Sequence, residues 1–283
     1  MKKRLFAIVL LASLLLCLCS CSKVSGDSTF SIRFIDVGQG DAALVECDGH
    51  YMLIDGGDTA AGDAVYNALV EQGVRQIDIL AISHLHSDHI GGLPEALKYI
   101  TKIGITISNE KNSSTKIFTE LESELIGKKG KGSRITIPSE GDKYELGSAT
   151  VEVVYAGADS NNDSLVLLIT YGNTRFLFTG DIEGAAETSI SDKYQNESDE
   201  PFKIDLIKMP HHGSYAGTLY RFLRTFMPDY IIISVGAGNQ YGHPHQKTLD
   251  LLDSKTWQPK IYRTDIDGDI TVKSNGKEIE IVD

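Results

Sequence analysis

Short apolar runs alternate with amphipathic segments from Phe30 to the end of the 283-residue chain. The run 77–82 is apolar enough for a strand buried on both faces, whereas 63–71 has helical spacing. Turn sequences typical of hairpins, Asp48-Gly49 and Gly172-Asn173, occur in both halves. This pattern favours two sheets packed face to face with helices outside over one doubly wound sheet. The predicted strands are 30–37, 43–47, 51–54, 77–82, 149–155, 165–170, 175–179, 204–208, 230–235 and three near the C-terminus; the predicted helices include 63–71, 93–100, 216–226 and 246–253.

The first 29 residues break this pattern and predict export. Residues 1–20 join a basic start, MKKR, to an apolar run, as in a secretory signal peptide, and are too short for a membrane span. The segment Leu18-Cys19-Ser20-Cys21 resembles a bacterial lipobox, with an ordinary cleaved signal or an anchor helix as alternatives. Residues 21–29 are small and polar, as in a tether. We therefore expect a lipoprotein signal peptide and a domain held through Cys21 to the outer face of the cytoplasmic membrane.

Charge narrows the range of functions. The chain has 27 basic and 39 acidic residues, a net charge of −12, and without the three bases of the leader 24 face 39, a charge of −15. Such a chain has no general attraction for polyphosphate, which argues against tight sequence-independent binding of nucleic acid as its main function. The basic run at 128–131 is either a solvated loop or a patch that meets an anionic substrate.

Histidines carry the strongest chemical signal. Seven of the eight fall in three short clusters, and each cluster follows an apolar run that predicts a strand. Loops at strand ends are where layered folds present functional groups, so the three clusters are expected to converge on one edge. The clusters are H-L-H-S-D-H (His84, His86, Asp88, His89), P-H-H-G-S (His211, His212) and G-H-P-H (His243, His245).

The first cluster supplies four ligands within six residues. Imidazole and carboxylate bind zinc and similar ions. In an irregular loop, His84 and His86 point one way while Asp88 and His89 point the other, which suits two ions rather than one. The second and third clusters alone are weaker signals, since each is also compatible with an ordinary turn.

Two aspartates extend the pattern. Asp181 ends the strand 175–179 and either bridges two cations or caps the following helix; the density of histidines favours the bridge. Asp55 either holds a ligand histidine by its other ring nitrogen or is an ordinary turn residue.

These motifs together resemble a known family. H-L-H-S-D-H is similar to the HxHxDH signature of the metallo-β-lactamase fold. The chain from residue 30 to the end resembles the carboxy-terminal domain of the ComEC competence proteins. That resemblance implies an α/β (α+β) fold, a four-layer αββα sandwich over 30–283, with a dinuclear site at its edge. The matching segments are FIDVGQGDAALVE (34–46), LIDGG (53–57), NDSLVLLI (162–169), LFTGD (177–181), MPHHGS (209–214) and YGHPH (241–245).

The chain departs from the family in ways that count against antibiotic hydrolysis. Asp181 stands where several β-lactamases carry cysteine, and 161–164 replaces a third histidine that many members have. The missing ligand would come from His211 or His212, or from water. The membrane-spanning segments that accompany this domain in ComEC are absent, so we expect a version that stands alone on its anchor.

The expected cofactors are two divalent cations, zinc by default and manganese as the alternative. The first would take His84, His86, Asp181 and one of His211 or His212. The second would take Asp88, His89, Asp181 and one of His243 or His245. The residues expected to act in catalysis are Asp88, His211, His212 and His245, and those expected to support the site or contact substrate are Asp55, Asn162, Ser214 and Lys208.

The leading hypothesis is a metal-dependent hydrolase of phosphodiesters, with DNA as the substrate that the resemblance implies. A phosphocholine or phosphate esterase of the cell envelope is the first alternative. The second alternative is a non-catalytic accessory module, in which metal only stabilises the fold. The expected partners are an anionic phosphoester substrate and proteins of a DNA-uptake or envelope complex.

Overall fold

The computed structural model describes residues 29–157, 164–196, 202–218, 220–253 and 257–282. The predicted signal peptide, the tether up to residue 28 and Asn162 lie outside these ranges, so export and lipid anchoring through Cys21 stay predictions. Within the described ranges, no helix has the length and hydropathy needed to cross a bilayer.

The strands of the described residues form two mixed sheets. In chain order they are β1 (Phe30–Phe34), β2 (Ala43–Cys47), β3 (His50–Ile54), β4 (Gln76–Ile82), β5 (Lys102–Ser108), β6 (Ile135–Thr136), β7 (Lys143–Leu146), β8 (Ala149–Ala156), β9 (Leu165–Tyr171), β10 (Thr174–Phe178), β11 (Leu206–Lys208), β12 (Tyr230–Ile233), β13 (Lys260–Arg263), β14 (Ile270–Ser274) and β15 (Ile279–Val282). The first sheet has the order β15-β14-β1-β2-β3-β4-β5-β6, and the second has the order β13-β12-β11-β10-β9-β8-β7.

Helices cover the outer face of each sheet. They are α1 (Gly62–Glu71), α2 (Ser87–Ile90), α3 (Leu93–Ala96), α4 (Lys116–Ile126), α5 (Gly184–Asn196), α6 (Tyr220–Phe226), α7 (Gln246–Leu252) and α8 (Thr264–Asp267), with 3₁₀ turns at Thr59–Ala61, Leu97–Tyr99, Lys131–Ser133 and Pro210–Gly213.

Three apolar layers hold this arrangement together. One lies between the sheets, one lies beneath α1, α3 and α4, and one lies beneath α5 and α6. Strand β4 serves two of them, because Ile79 and Ala81 face the second sheet while Leu80 and Ile82 face the helices. Because both faces of β4 are buried, residues 77–82 are apolar at nearly every position. The predicted αββα sandwich is confirmed.

Parallel pairing brings several strand ends to one rim. β3, β4 and β5 run parallel in the first sheet, and β10, β11 and β12 run parallel in the second. Neighbouring parallel strands present their carboxyl ends at the same edge of a sheet. The sheets meet at this rim, where the N–H of Leu165 donates to the carbonyl of Ser83 at 2.8 Å.

The basic run 128–131 lies at the other end of the first sheet. The N–H of Ile103, near the start of β5, donates to the carbonyl of Lys129 at 2.9 Å. At roughly 3.3 Å of rise per residue, β5 puts about 20 Å between this loop and the rim. The basic run is therefore not part of the surface next to the histidines.

We expect Ile32→Ala to destabilise the protein by about 2–5 kcal/mol, because Ile32 is completely buried between the sheets and its truncation leaves a cavity. Ile126→Ala is the matched control, since Ile126 is 73% exposed and should change the free energy of unfolding by less than about 0.5 kcal/mol. Denaturant unfolding of both variants measures the difference. Equal losses would contradict the assigned core.

Candidate metal centre

The H-L-H-S-D-H segment leaves β4 at the rim and folds back on itself. His84 is the second residue after the strand, and the single turn of α2 carries Asp88 and His89. The imidazole centroids of His84 and His89 lie 4.1 Å apart, and those of His84 and His86 lie 4.4 Å apart. His84 and His89 are buried, whereas His86 is exposed. The loop therefore gathers its three imidazoles at one point.

Asp181 stands at the centre of the gathered side chains. It is buried, and its N–H donates to the Ser164 hydroxyl at 2.9 Å. Helix α5 begins only at Gly184. One carboxylate oxygen, Oδ2, faces the Nε2 atoms of four histidines: His89 at 3.3 Å, His212 at 3.4 Å, His211 at 3.7 Å and His84 at 4.0 Å.

A strained turn brings in His211 and His212. Both residues have left-handed backbone angles, with φ of 45° and 54°, a conformation that is costly for residues other than glycine. Within the described ranges, five non-glycine residues have positive φ, and three of them, Asp55, His211 and His212, lie at this rim. Strain concentrated in this way is characteristic of functional sites.

The Nδ1 atom of each of the four imidazoles that face Asp181 is held from behind. This fixes the ring so that Nε2 points toward Asp181. The partners are Asp55 Oδ2 for His89 (2.9 Å), the Ser234 carbonyl for His212 (2.9 Å), Glu183 Oε1 for His211 (2.8 Å), and the hydroxyls of Ser83 (3.1 Å) and Ser164 (3.3 Å) for His84.

The unpartnered atoms fit divalent cations. The buried Nε2 atoms of His84, His89 and His212 have no hydrogen-bond partner, and neither does Oδ1 of Asp181. Imidazole lone pairs aimed at a carboxylate repel it unless a proton or a cation lies between them. Asp88, His89, Asp181 and His212 each offer a ligand atom, and these atoms lie within 4.8 Å of one another. Imidazole and carboxylate are the donor set that such ions take.

Without cations, protons take their place. Burial alone would lower the pKa of His89, but the facing carboxylates of Asp181 and Asp55 raise it well above its ordinary value. Burial also opposes the charged form of His212, yet Asp181 and Asp41 raise that pKa in the same way. Conversely, burial would raise the pKa of Asp181, but the charges of His212 and His89 hold it well below its usual range.

The structure groups the ligands differently from the sequence analysis. His212, rather than His243 or His245, completes the set of Asp88, His89 and Asp181. The left-handed turn at 211–212 is the physical reason, because it directs both imidazoles inward. His245 lies behind His243, with ring centroids 4.8 Å apart, and its Nδ1 accepts the N–H of Tyr215 at 2.9 Å. His245 is therefore not placed to act as a ligand in this group.

Ser214, another of the expected residues, does not reach the cluster. Ser214 is buried, and its hydroxyl accepts the N–H of Ala216 at 3.3 Å, so it supports the turn. Asn162 lies outside the described residues.

The cluster opens into a cleft of about 320 Å³. The side chain of His243 lies within it, and its buried Nδ1 has no partner. Burial, followed by the nearby His211 and His212, lowers the pKa of His243 to about 4. The ring of Tyr241 stacks on His243 with centroids 5.6 Å apart. The lining residues are Gln39, His86, Ser87, Asp88, Asp181, His211, His212, Tyr241 and His243.

Sequence reasoning missed several residues that support the cluster. Glu183 and Ser164 hold histidines, and Asp41 lies behind two of them. Lys208 was considered only for substrate contact, but it is buried beneath the site. Ser164 was the best available signal, since it ends the segment in which the family's third histidine is missing.

Two curated proteins are similar to this chain in sequence. ComE operon protein 3 of Bacillus subtilis (strain 168) is 30% identical over 261 residues, which cover 84% of this chain and 32% of that protein. Competence protein ComA of Neisseria gonorrhoeae is 29% identical over 235 residues, which cover 82% of this chain and 30% of that protein. The chain thus spans about a third of the length of these curated relatives.

A solved structure shares the fold. The metallo-beta-lactamase fold protein YhfI of Bacillus subtilis matches with a TM-score of 0.57 at 11% identity, covering 87% of this chain and all of that one. The family model described as the Metallo-beta-lactamase superfamily matches residues 35–236. Since this match spans most of the chain and includes the H-L-H-S-D-H segment, Asp181 and both histidines of the strained turn, the chain belongs to the metallo-beta-lactamase superfamily.

Proposed function

We propose that this chain is a metal-dependent phosphodiesterase that cleaves DNA. The observation that carries the proposal is the Oδ2 atom of Asp181, which faces four imidazole Nε2 atoms at 3.3–4.0 Å beside an open cleft. Three of those nitrogens are buried without a hydrogen-bond partner. This arrangement provides ligands for cations and access for a substrate at the same place.

The ligand atoms divide into two sets that share Asp181. His84, His86 and His211 would hold one cation, and Asp88, His89 and His212 would hold the other. Zinc suits these donors, and manganese is the alternative because no thiolate is present in either set. Divalent cations here would supply the Lewis acidity that activates water and neutralises charge on a phosphoryl oxygen.

The charge of the site supports two cations and an anionic substrate. Among the described residues, five carboxylates touch the clustered histidines and one ammonium opposes them, which gives −4 with neutral imidazoles. Two divalent cations neutralise this charge, whereas a single one leaves −2 and would repel a phosphodiester. The carboxylates are Asp41, Asp55, Asp88, Asp181 and Glu183, and the ammonium is Lys208.

His243 is the residue best placed to move a proton. It lies in the cleft and is neutral at pH 7, because its pKa is lowered to about 4. A neutral imidazole accepts a proton, but a pKa of about 4 makes His243 a weak base, so activation of the attacking water would depend mainly on the Lewis acidity of the cations. His245 lies behind it and takes no direct part.

Exposed tyrosines in the cleft and beside His245 support a nucleic-acid substrate. Tyr241 and Tyr215 are 56% and 52% exposed, and the Lys247 ammonium lies 4.6 Å from the centre of the Tyr215 ring. Exposed aromatic rings beside a cation bind successive bases and phosphates of a single strand. The same ammonium would repel a quaternary ammonium group, which counts against a phosphocholine ester.

The relatives support the same substrate. Competence protein ComA has a name that refers to competence, the uptake of DNA, and ComE operon protein 3 is a competence-related relative. Their similarity to this chain supports DNA as substrate and uptake proteins as partners. With the lipid anchor at Cys21, the site would lie outside the cytoplasmic membrane.

Cation binding is expected to release protons and to weaken as the pH falls. His89 and His212 have pKa values raised well above the ordinary value, so both are protonated in the metal-free protein at neutral pH. A cation must displace those protons, and acid therefore favours the metal-free state. Calorimetric titration with Zn²⁺ or Mn²⁺ in buffers of different ionisation enthalpy measures the release. Binding without proton release, or with an affinity independent of pH, would contradict this ligand set.

Asp181→Asn is expected to lower turnover of single-stranded DNA and of bis(4-nitrophenyl) phosphate by roughly 100-fold or more, the range for loss of one stabilising group. The matched control is Asp78→Asn, at a half-exposed aspartate outside the cleft that should leave turnover unchanged. A phosphocholine ester and a β-lactam complete the assay. Turnover of the phosphocholine ester alone would favour the envelope esterase. Bound metal with no turnover of any substrate would favour the accessory module.

Tyr241→Ala is expected to reduce the preference for substrates that carry a base by about tenfold, since base stacking contributes about 1–3 kcal/mol. The measured quantity is the ratio of kcat/KM for thymidine 5′-(4-nitrophenyl phosphate) to that for methyl 4-nitrophenyl phosphate. Tyr220→Ala, at a 45% exposed tyrosine outside the cleft lining, should leave the ratio unchanged. An unchanged ratio in Tyr241→Ala would refute base stacking.

A further inference from the structure

Lys208 is a buried cation whose position the proposed reaction does not explain. It ends β11, is 2% exposed, and donates from Nζ to the carbonyl of Gly180 at 3.2 Å. Its ammonium also forms a close ion pair with Asp41 Oδ2. Burying such a pair costs several kcal/mol of solvation per ion, so it is seldom retained for stability alone.

Asp41 connects this pair to the imidazoles. Its Oδ1 lies 3.3 Å from Nδ1 of His212, and its Oδ2 lies 3.7 Å from Nδ1 of His89. Its backbone N–H donates to the carbonyl of Asp88 at 3.1 Å. Asp41 thus stands behind three of the four residues in the second proposed ligand set.

Lys208 reaches the fourth residue of that set. Its Nζ lies 3.9 Å from Oδ1 of Asp181, whereas the distances to the four Nε2 atoms are to the other oxygen, Oδ2. The ammonium therefore attracts one oxygen of the carboxylate and leaves Oδ2 facing the four Nε2 atoms. Each member of the second set is contacted by Asp41, by Lys208, or by both.

The remaining surroundings of the pair are mostly apolar. Asp41 and Lys208 line a small enclosed space of about 20 Å³ together with Phe34, Leu165 and Phe178. Apolar side chains of similar size would pack against these neighbours at least as well as an ion pair does. Packing alone therefore gives no reason for a charged pair at this point.

We propose that Asp41 and Lys208 are positioning residues, which set the orientation of Asp181 and His212 and thereby the affinity of the site for divalent cations. This inference rests on the ligand sets of the proposed function. Neither residue needs to touch a cation or a substrate in this role. Its effect is transmitted through the ligands, as is usual for groups behind a metal site.

The decisive variant is the double substitution Asp41→Asn/Lys208→Met in the full-length chain, which removes both charges and keeps the net charge constant. Zn²⁺ affinity, measured by competition with a chromogenic chelator, is expected to fall about 10- to 100-fold, as for other partners behind metal ligands. The thermal midpoint of the metal-free protein should stay the same or rise, because the costly burial of two ions is relieved. The matched control is Glu124→Gln/Lys128→Met, a pair 3.2 Å apart on and beside α4, which should leave Zn²⁺ affinity unchanged.

An unchanged affinity in the double variant would overturn the positioning role. A parallel fall of affinity and of the metal-free midpoint would also overturn it, because the pair would then be a structural element. If the double variant does not fold, the single variant Lys208→Met is tested instead, and the direction of its change in Zn²⁺ affinity decides between the two roles. Removing a neighbouring cation would raise Zn²⁺ affinity if Lys208 acted by charge only, whereas loss of positioning lowers it. A wild-type chain that binds no Zn²⁺ would overturn the proposed ligand sets and this inference together.

Discussion

One buried carboxylate oxygen constrains everything around it. Oδ2 of Asp181 faces four imidazole nitrogens, and three of these are buried without a hydrogen-bond partner. Lone pairs and a negative charge cannot share an apolar interior unless positive charge lies among them. The raised pKa values of His89 and His212 have the same cause, because a bound proton supplies positive charge beside the carboxylates. The proposed chemistry therefore depends on the positive charge that this oxygen and its imidazoles require.

The surrounding structure holds the Asp181 carboxylate and its four imidazoles in position. The turn at 211–212 holds two non-glycine residues in left-handed conformations, which the apolar layers on either side must stabilise. Asp55, Glu183 and the Ser234 carbonyl then hold the imidazoles from behind. The fold thus uses stability from its core to keep a strained and highly charged rim in place.

The sequence predicted much of this because the relevant signals are local. The doubly buried run 77–82 indicated a central strand with a layer on each side, and the structure has that strand. H-L-H-S-D-H placed four ligand types within six residues, which needs no knowledge of distant contacts. The early part of the predicted helix 216–226 was wrong, because the described helix begins at Tyr220.

The features that the sequence did not predict depend on backbone conformation and on tertiary packing. The choice of His212 over His243 and His245 follows from backbone angles that no residue pattern encodes at 211–212. Asp41 is far from every histidine cluster along the chain, and only the packing of the two sheets brings it behind them. The sequence left the basic run 128–131 as either a solvated loop or a substrate patch, and only the course of β5, which carries it to the opposite end of the sheet, excludes the patch.

The rim takes its ligands from both sheets, with 84–89 after β4 in the first and Asp181 and 211–212 beside β10 and β11 in the second. Neither half of the chain has a complete donor set, so the site assembles only after the halves have docked. The unfolded chain therefore lacks either complete set, and tight binding of cations at this rim is coupled to the docking of the two sheets.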